Sequence, residues 1–146
     1  MSLDPMRSTA HGFWRYSAEY FHAAEAVRGV KGRELLMPAL QLYGQSIELA
    51  LKAFLLKRGV PLGDVKKLSH KLTEILALAR KRRLGTEVKL SQRDIALIQL
   101  LGANYAMHRF RYSFGMGQLT LPSLSQVPIC TVGGPLSIPE SPLEAA

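Results

Sequence analysis

One cysteine, Cys130, is the whole thiol content of the chain, so no internal disulfide and no cysteine-built zinc site can form. Such sparing use of cysteine makes the cytoplasm the default compartment. No run approaches the ~20 apolar residues of a membrane-crossing helix. Met1 to Trp14 has no apolar centre of the kind a secretory leader carries. The expectation is a protein without a membrane partner. Histidine is sparse too: on one continuous helix His11 and His22 would stand ~16 Å apart, beyond the reach of a single ion. The sequence also lacks His-x3-His, the phosphate-cradling Gly-x4-Gly-Lys-Ser/Thr and the nucleophile turn Gly-x-Ser-x-Gly. Nothing supports the usual zinc, P-loop or serine-hydrolase enzymes, and no metal or cofactor is expected.

Acidic residues are the other shortage: eleven Asp and Glu face nineteen Lys and Arg, a formal +8 that favours anionic partners without naming one. At 47% hydrophobic and 21% charged, the composition is too apolar for a disordered chain, and 146 residues suit a single domain. Charge and composition both change near residue 112. Residues 1–112 hold all 19 basic and 9 of the acidic residues, whereas the rest carries only Glu140 and Glu144. Five of the eight prolines lie in that last stretch and rule out a long helix there. The domain reading is therefore a helical bundle over 8–112 and an extended tail over 113–146. The tail has Leu119, Leu121, Leu124, Val127 and Ile129 among its apolar residues, too many for a solvated linker, and is expected to pack on the bundle or on a second subunit.

Before the tail, four segments repeat apolar residues at helical spacing, and the second is the clearest. Ile47, Ala50, Leu51, Phe54 and Leu55 recur at i, i+3, i+4, i+7 and i+8, which predicts a helix over 36–58 with Pro38 in its first turn and Gly59-Val60-Pro61 as its stop. The first helix spans 9–28, with Trp14, Ala18, Phe21 and Ala24 on one side and Gly29 beyond its end. Ser69 reads as the N-cap of a third, running through Leu72, Ile75, Leu76 and Ala79 to Arg83, with Gly85 closing it. Ser91 opens the fourth with Asp94 as its capping-box partner, and Ile95, Ile98, Leu101 and Tyr105 lead toward His108. No segment here alternates like a strand. The economical architecture is an all-α, up-and-down four-helix bundle.

Glu48 and Lys52 fall at i and i+4 on the second helix, behind Gln41 and Gln45. Alone, such a pair reads as an exposed salt bridge. His70 opens the third helix and His108 lies near the end of the fourth, beside Arg109 and Arg111. Histidines so placed act as capping or packing groups, or as a general base or phosphate ligand assisted by arginine forks. Arg80, Lys81, Arg82 and Arg83, with Lys66, Lys67 and Lys71 across the same helical region, form the densest positive feature. It is either a solvated helix end satisfying its dipole or a nucleic-acid contact.

Taken together, Ser46-Ile47-Glu48-Leu49-Ala50-Leu51-Lys52-Ala53-Phe54-Leu55, then Ser69-His70-Lys71-Leu72, then Tyr105 with His108-Arg109-Phe110-Arg111-Tyr112 resemble the HEPN family, the higher eukaryotes and prokaryotes nucleotide-binding domain. The resemblance covers residues 10–113. It implies a small helical bundle that dimerises and works as a ribonuclease toxin, a toxin-system partner or a nucleotide-binding accessory. Family ribonucleases carry an arginine a few residues before a histidine on the last bundle helix. Asn104 and His108 fit that frame, but Ala103 stands at the arginine position. The missing guanidinium would have stabilised charge on the reacting phosphate. In the preferred register Arg111-Tyr112 match the family's Arg-Tyr, with Ser113 where proline often follows; Arg109-Phe110 is the other register.

Either register implies that Glu48, Lys52, His70 and Arg109 or Arg111 share one polar cleft, with Asn104, His108 and Tyr112 as further ligand residues. The same groups could instead form a buried ion-pair network that fixes helix register. The expected function is a non-catalytic, homodimeric module for a nucleotide or an RNA phosphate, in a toxin–antitoxin or defence system. Two alternatives stay open: a metal-independent ribonuclease with His108 as general base, and a structural module whose tail docks on a partner protein.

Overall fold

The computed structural model describes residues 9–31 and 35–105, in which five α-helices and a single turn of 3-10 helix account for the regular structure and no strand occurs. The helices are α1 (Ala10–Arg28), α2 (Leu36–Lys57), α3 (Leu62–Lys67), α4 (Leu72–Lys81) and α5 (Gln92–Tyr105), with the 3-10 turn Leu84–Thr86 between the last two. The chain is thus all-α as its periodicity predicts. The expected tail and the residues after Tyr105 lie outside the described residues. Among the described residues no helix is long and apolar enough to cross a membrane.

Local chemistry sets most helix ends. Thr9 caps α1, its hydroxyl accepting the Gly12 amide at 3.0 Å, and Gly29 closes it. Ser91 and Asp94 make the reciprocal capping box of α5: the Asp94 carboxylate accepts the Ser91 amide at 2.9 Å, and the Ser91 hydroxyl accepts the Asp94 amide at 3.1 Å. The helix α2 stops where Gly59 adopts φ 86°, a conformation costly for any residue with a Cβ.

The expectation of one helix from Ser69 to Arg83 is corrected. Ser69 has φ 50° and is not a cap; α4 begins at Leu72, and a separate short helix, α3, precedes the reversal. Only Val65 of α3 is buried, so no apolar repeat could announce it. The described bundle therefore has five helices where four are predicted. Lys66 and Lys67 belong to α3, and Lys71 precedes α4, about 14 Å along the axis from Arg80 and Lys81. The three lysines are thus not on the helix that carries Arg80 and Lys81, and Lys67 and Lys71 lie beside Asp64 and Glu74.

Helix α2 is the centre of the packing and touches α1, α3, α4 and α5. Ala50, Leu51, Lys52, Ala53, Phe54 and Leu55 are buried in succession, a pattern that only a helix enclosed on all sides produces. Small residues let α1 lie close along it: Ser17, Ala24, Ala39 and Ser46 are fully buried, and the Ser46 hydroxyl donates to the Ser17 carbonyl at 2.8 Å. Tyr43 meets Glu25 and Arg28 while Ser46 meets Ser17, so the two helices run antiparallel. Phe54, Leu55, Leu72, Ile75 and Ile98 form the middle of the core.

The Tyr43 hydroxyl donates to Glu25 and accepts from Arg28 at 3.4 Å. Burial, and after it the bond to Glu25, holds the phenol above its ordinary pKa of 10.0, against the opposing pull of Arg28. The folded chain keeps this proton after an unfolded tyrosine has released it. The associated stability is whole below pH ~10 and is lost as pH rises through the folded value. Tyr43→Phe should flatten the alkaline limb of a plot of Tm against pH, and a limb as steep as that of the unmodified chain would overturn the assignment.

Candidate functional site

The polar side chains that the bundle buries together gather around Glu48, one turn beyond Gly44 on α2. Glu48 is 6% exposed and Lys52 7%. The exposed salt bridge expected from their spacing is therefore a buried pair, with the Lys52 ammonium 3.3 Å from Oε2. Enclosure of α2 on all sides is the physical reason.

The other carboxylate oxygen serves two elements at once. Oε1 accepts from His70 Nδ1 at 2.6 Å and from the Tyr105 hydroxyl at 3.1 Å. The rings of His70 and Tyr105 meet edge to face, their centroids 5.9 Å apart and their planes at 89°. A single carboxylate thus ties α2, the α3–α4 connection and the end of α5. Because an ionised carboxylate only accepts, Nδ1 carries a proton in this contact, and Nε2 lies on the far edge of the imidazole. His70 reaches Glu48 because the chain reverses at Ser69 rather than entering a helix there. Its side chain is 48% exposed, so it stands at the boundary between the buried cluster and solvent.

Two glycines permit this approach. A Cβ on Gly44 would lie 2.6 Å from Cδ2 of Tyr105, so the ring rests on bare backbone one turn before Glu48. A Cβ on Gly102 would lie 3.0 Å from Cβ of Leu72, where α5 crosses the start of α4.

Of the residues proposed from the sequence, Glu48, Lys52 and His70 are brought together. Asn104 is buried on α5, where its amide donates to the Leu100 carbonyl at 3.2 Å, one turn back in its own helix. His108, Arg109, Arg111 and Tyr112 lie outside the described residues. Arg80, Lys81, Arg82 and Arg83 are exposed at the far end of α4. Tyr105 is the residue that periodicity missed as a site member, since it scored as one more apolar position. The available signal was chemical: a buried tyrosine needs a partner for its hydroxyl. Among the described residues no three His, Cys, Asp or Glu side chains are placed to hold a metal ion.

Comparison of the chain with family models, with curated proteins and with solved structures returns no match.

Proposed function

We propose that the chain is a non-catalytic, HEPN-like binding module that takes the phosphate of a nucleotide or of RNA at the mouth of the Glu48 cluster. One observation carries this reading: a buried carboxylate holds a half-exposed histidine by Nδ1, with a lysine and a tyrosine completing the carboxylate's shell. In its imidazolium form the ring keeps Nδ1–H on Glu48 and offers Nε2–H to a phosphate oxygen, and a ring fixed in this way meets the ligand without losing side-chain freedom, an orientation worth affinity. The net charge of +8 favours the approach of an anion. Homodimerisation, a four-helix HEPN core and a place in a toxin–antitoxin or defence system belong to the same proposal through the sequence resemblance.

The test is calorimetric titration with adenosine monophosphate in EDTA. The unmodified chain should bind. His70→Ala should bind about tenfold or more weakly, a loss of ~1.4 kcal/mol, while its Tm moves by only a few degrees because the side chain is half exposed. Equal affinity in the two proteins would overturn the assignment. Cleavage of RNA in EDTA that disappears in His108→Ala would replace it with the ribonuclease reading.

A further inference from the structure

The turn joining α4 to α5 concentrates charge that the Glu48 cluster does not use. Residues 80–93 contain Arg80, Lys81, Arg82, Arg83, Lys89 and Arg93 against the single Glu87. Glu87 is already engaged, by Lys57 at 3.3 Å and by Arg58 at 3.1 Å. All six cations are exposed, and among the described residues none lies within ion-pair distance of a carboxylate. Arg80 lines a cavity with Gln92 and Ile95, so the end of α4 lies beside the start of α5 and both contribute to one surface.

Helix-dipole compensation does not account for this arrangement. Arg80 and Lys81 complement the carbonyl end of α4, but Arg93 sits in the first turn of α5, where positive charge is unfavourable. Arg83 has φ 65° and ψ 41°, the left-handed conformation in which glycine is the least strained residue. Two arginines thus occupy positions that local energetics would give to other residues, and both are exposed.

We propose that this turn is a contact for the phosphate backbone of a nucleic acid, separate from the Glu48 cluster. Four of the six cations are arginine, whose forked guanidinium matches phosphate oxygens. The surface lacks the apolar anchors of a membrane-binding face: the exposed large hydrophobic residue of the described chain is Val30, just beyond α1. Helix α5 carries Arg93 near its start and Tyr105 at its end, so the patch and the Glu48 cluster lie about 18 Å apart along it. A mononucleotide occupies one of them at most, whereas an RNA strand can run across both.

The probe is a fluorescein-labelled oligouridylate of ~20 nucleotides, followed by anisotropy with the full chain from ~50 to ~200 mM salt. With five or six phosphates neutralised, log K should fall against log salt with a slope of about −4. The double variant Lys81→Gln, Arg82→Gln should bind at least tenfold more weakly at low salt and lower the slope by about 1.4, with adenosine monophosphate affinity unchanged. Arg83→Gly should lose RNA affinity severalfold while its Tm holds or rises, which separates lost contact from lost fold. A slope near zero, unchanged affinity in the double variant, or equally tight binding to phosphatidylserine vesicles or polyglutamate would overturn the proposal. Mononucleotide binding that fails while the salt-dependent RNA binding persists would remove the Glu48 reading alone.

Discussion

Glu48→Ala is expected to cost about 3–5 kcal/mol of folding stability, enough to lower Tm by roughly 10–15 °C. The cost comes from what the deletion leaves behind. The Lys52 ammonium stays 7% exposed without its counter-charge, and His70 Nδ1 and the Tyr105 hydroxyl both lose the oxygen they share. An uncompensated buried charge is the largest of these terms, because desolvating an ion is expensive and the pair's mutual attraction no longer offsets it. The double variant Glu48→Leu, Lys52→Met separates this mechanism from simple loss of packing. It removes both charges and keeps apolar volume, so its stability should return to within about 2 kcal/mol of the unmodified chain. Urea denaturation of the three proteins measures all of this. If Glu48→Ala costs less than ~1 kcal/mol, the cluster is hydrated and the pair is worth no more than a surface bridge.

The parts of this fold that were legible in the sequence are those decided within a few residues. Thr9, Gly59 and the Ser91/Asp94 pair mark their helix ends because each end is set locally, by a capping side chain or by a positive φ that suits glycine, whereas Gly29 follows α1 in an ordinary αR conformation. The buried state of Glu48 and Lys52 was not legible, since i and i+4 spacing is the same on an exposed face and on an enclosed one. Only the run of buried positions from Ala50 to Leu55 separates the two cases, and that run depends on helices remote in sequence. His70 was recognised for its chemistry but placed on the wrong scaffold. Ser69 takes φ 50° between the six-residue α3 and the start of α4, and serine has no local preference that announces it. Convergence of Glu48, Lys52 and His70 was anticipated only through the family resemblance, whereas Tyr105 and Gly44 enter the site through contacts between helices.

Gly44→Val should destabilise the chain by about 3 kcal/mol or more, against the direction that helix propensity alone gives. In an unpacked helix, replacing glycine gains up to ~1 kcal/mol for alanine and less for a β-branched residue. Here the first added carbon would already stand 2.6 Å from Cδ2 and 2.9 Å from Cε2 of Tyr105. The ring cannot swing aside freely, because its hydroxyl is held by Glu48 at 3.1 Å and its edge is packed against His70. Relief must come from moving α5 away from α2 or from breaking the phenol's bond. Overpacking typically costs 1–3 kcal/mol and the lost buried bond about 1–3 kcal/mol more. The sign therefore rests on Tyr105, which a double-mutant cycle can isolate. In a Tyr105→Ala background the same valine should be tolerated to within ~1 kcal/mol, giving a coupling energy of about 2 kcal/mol or more between two residues far apart in sequence. Additive costs would mean that Gly44 is constrained by its own helix rather than by the ring laid across it, and that the close approach of α2 and α5 contributes nothing to holding the Glu48 cluster together.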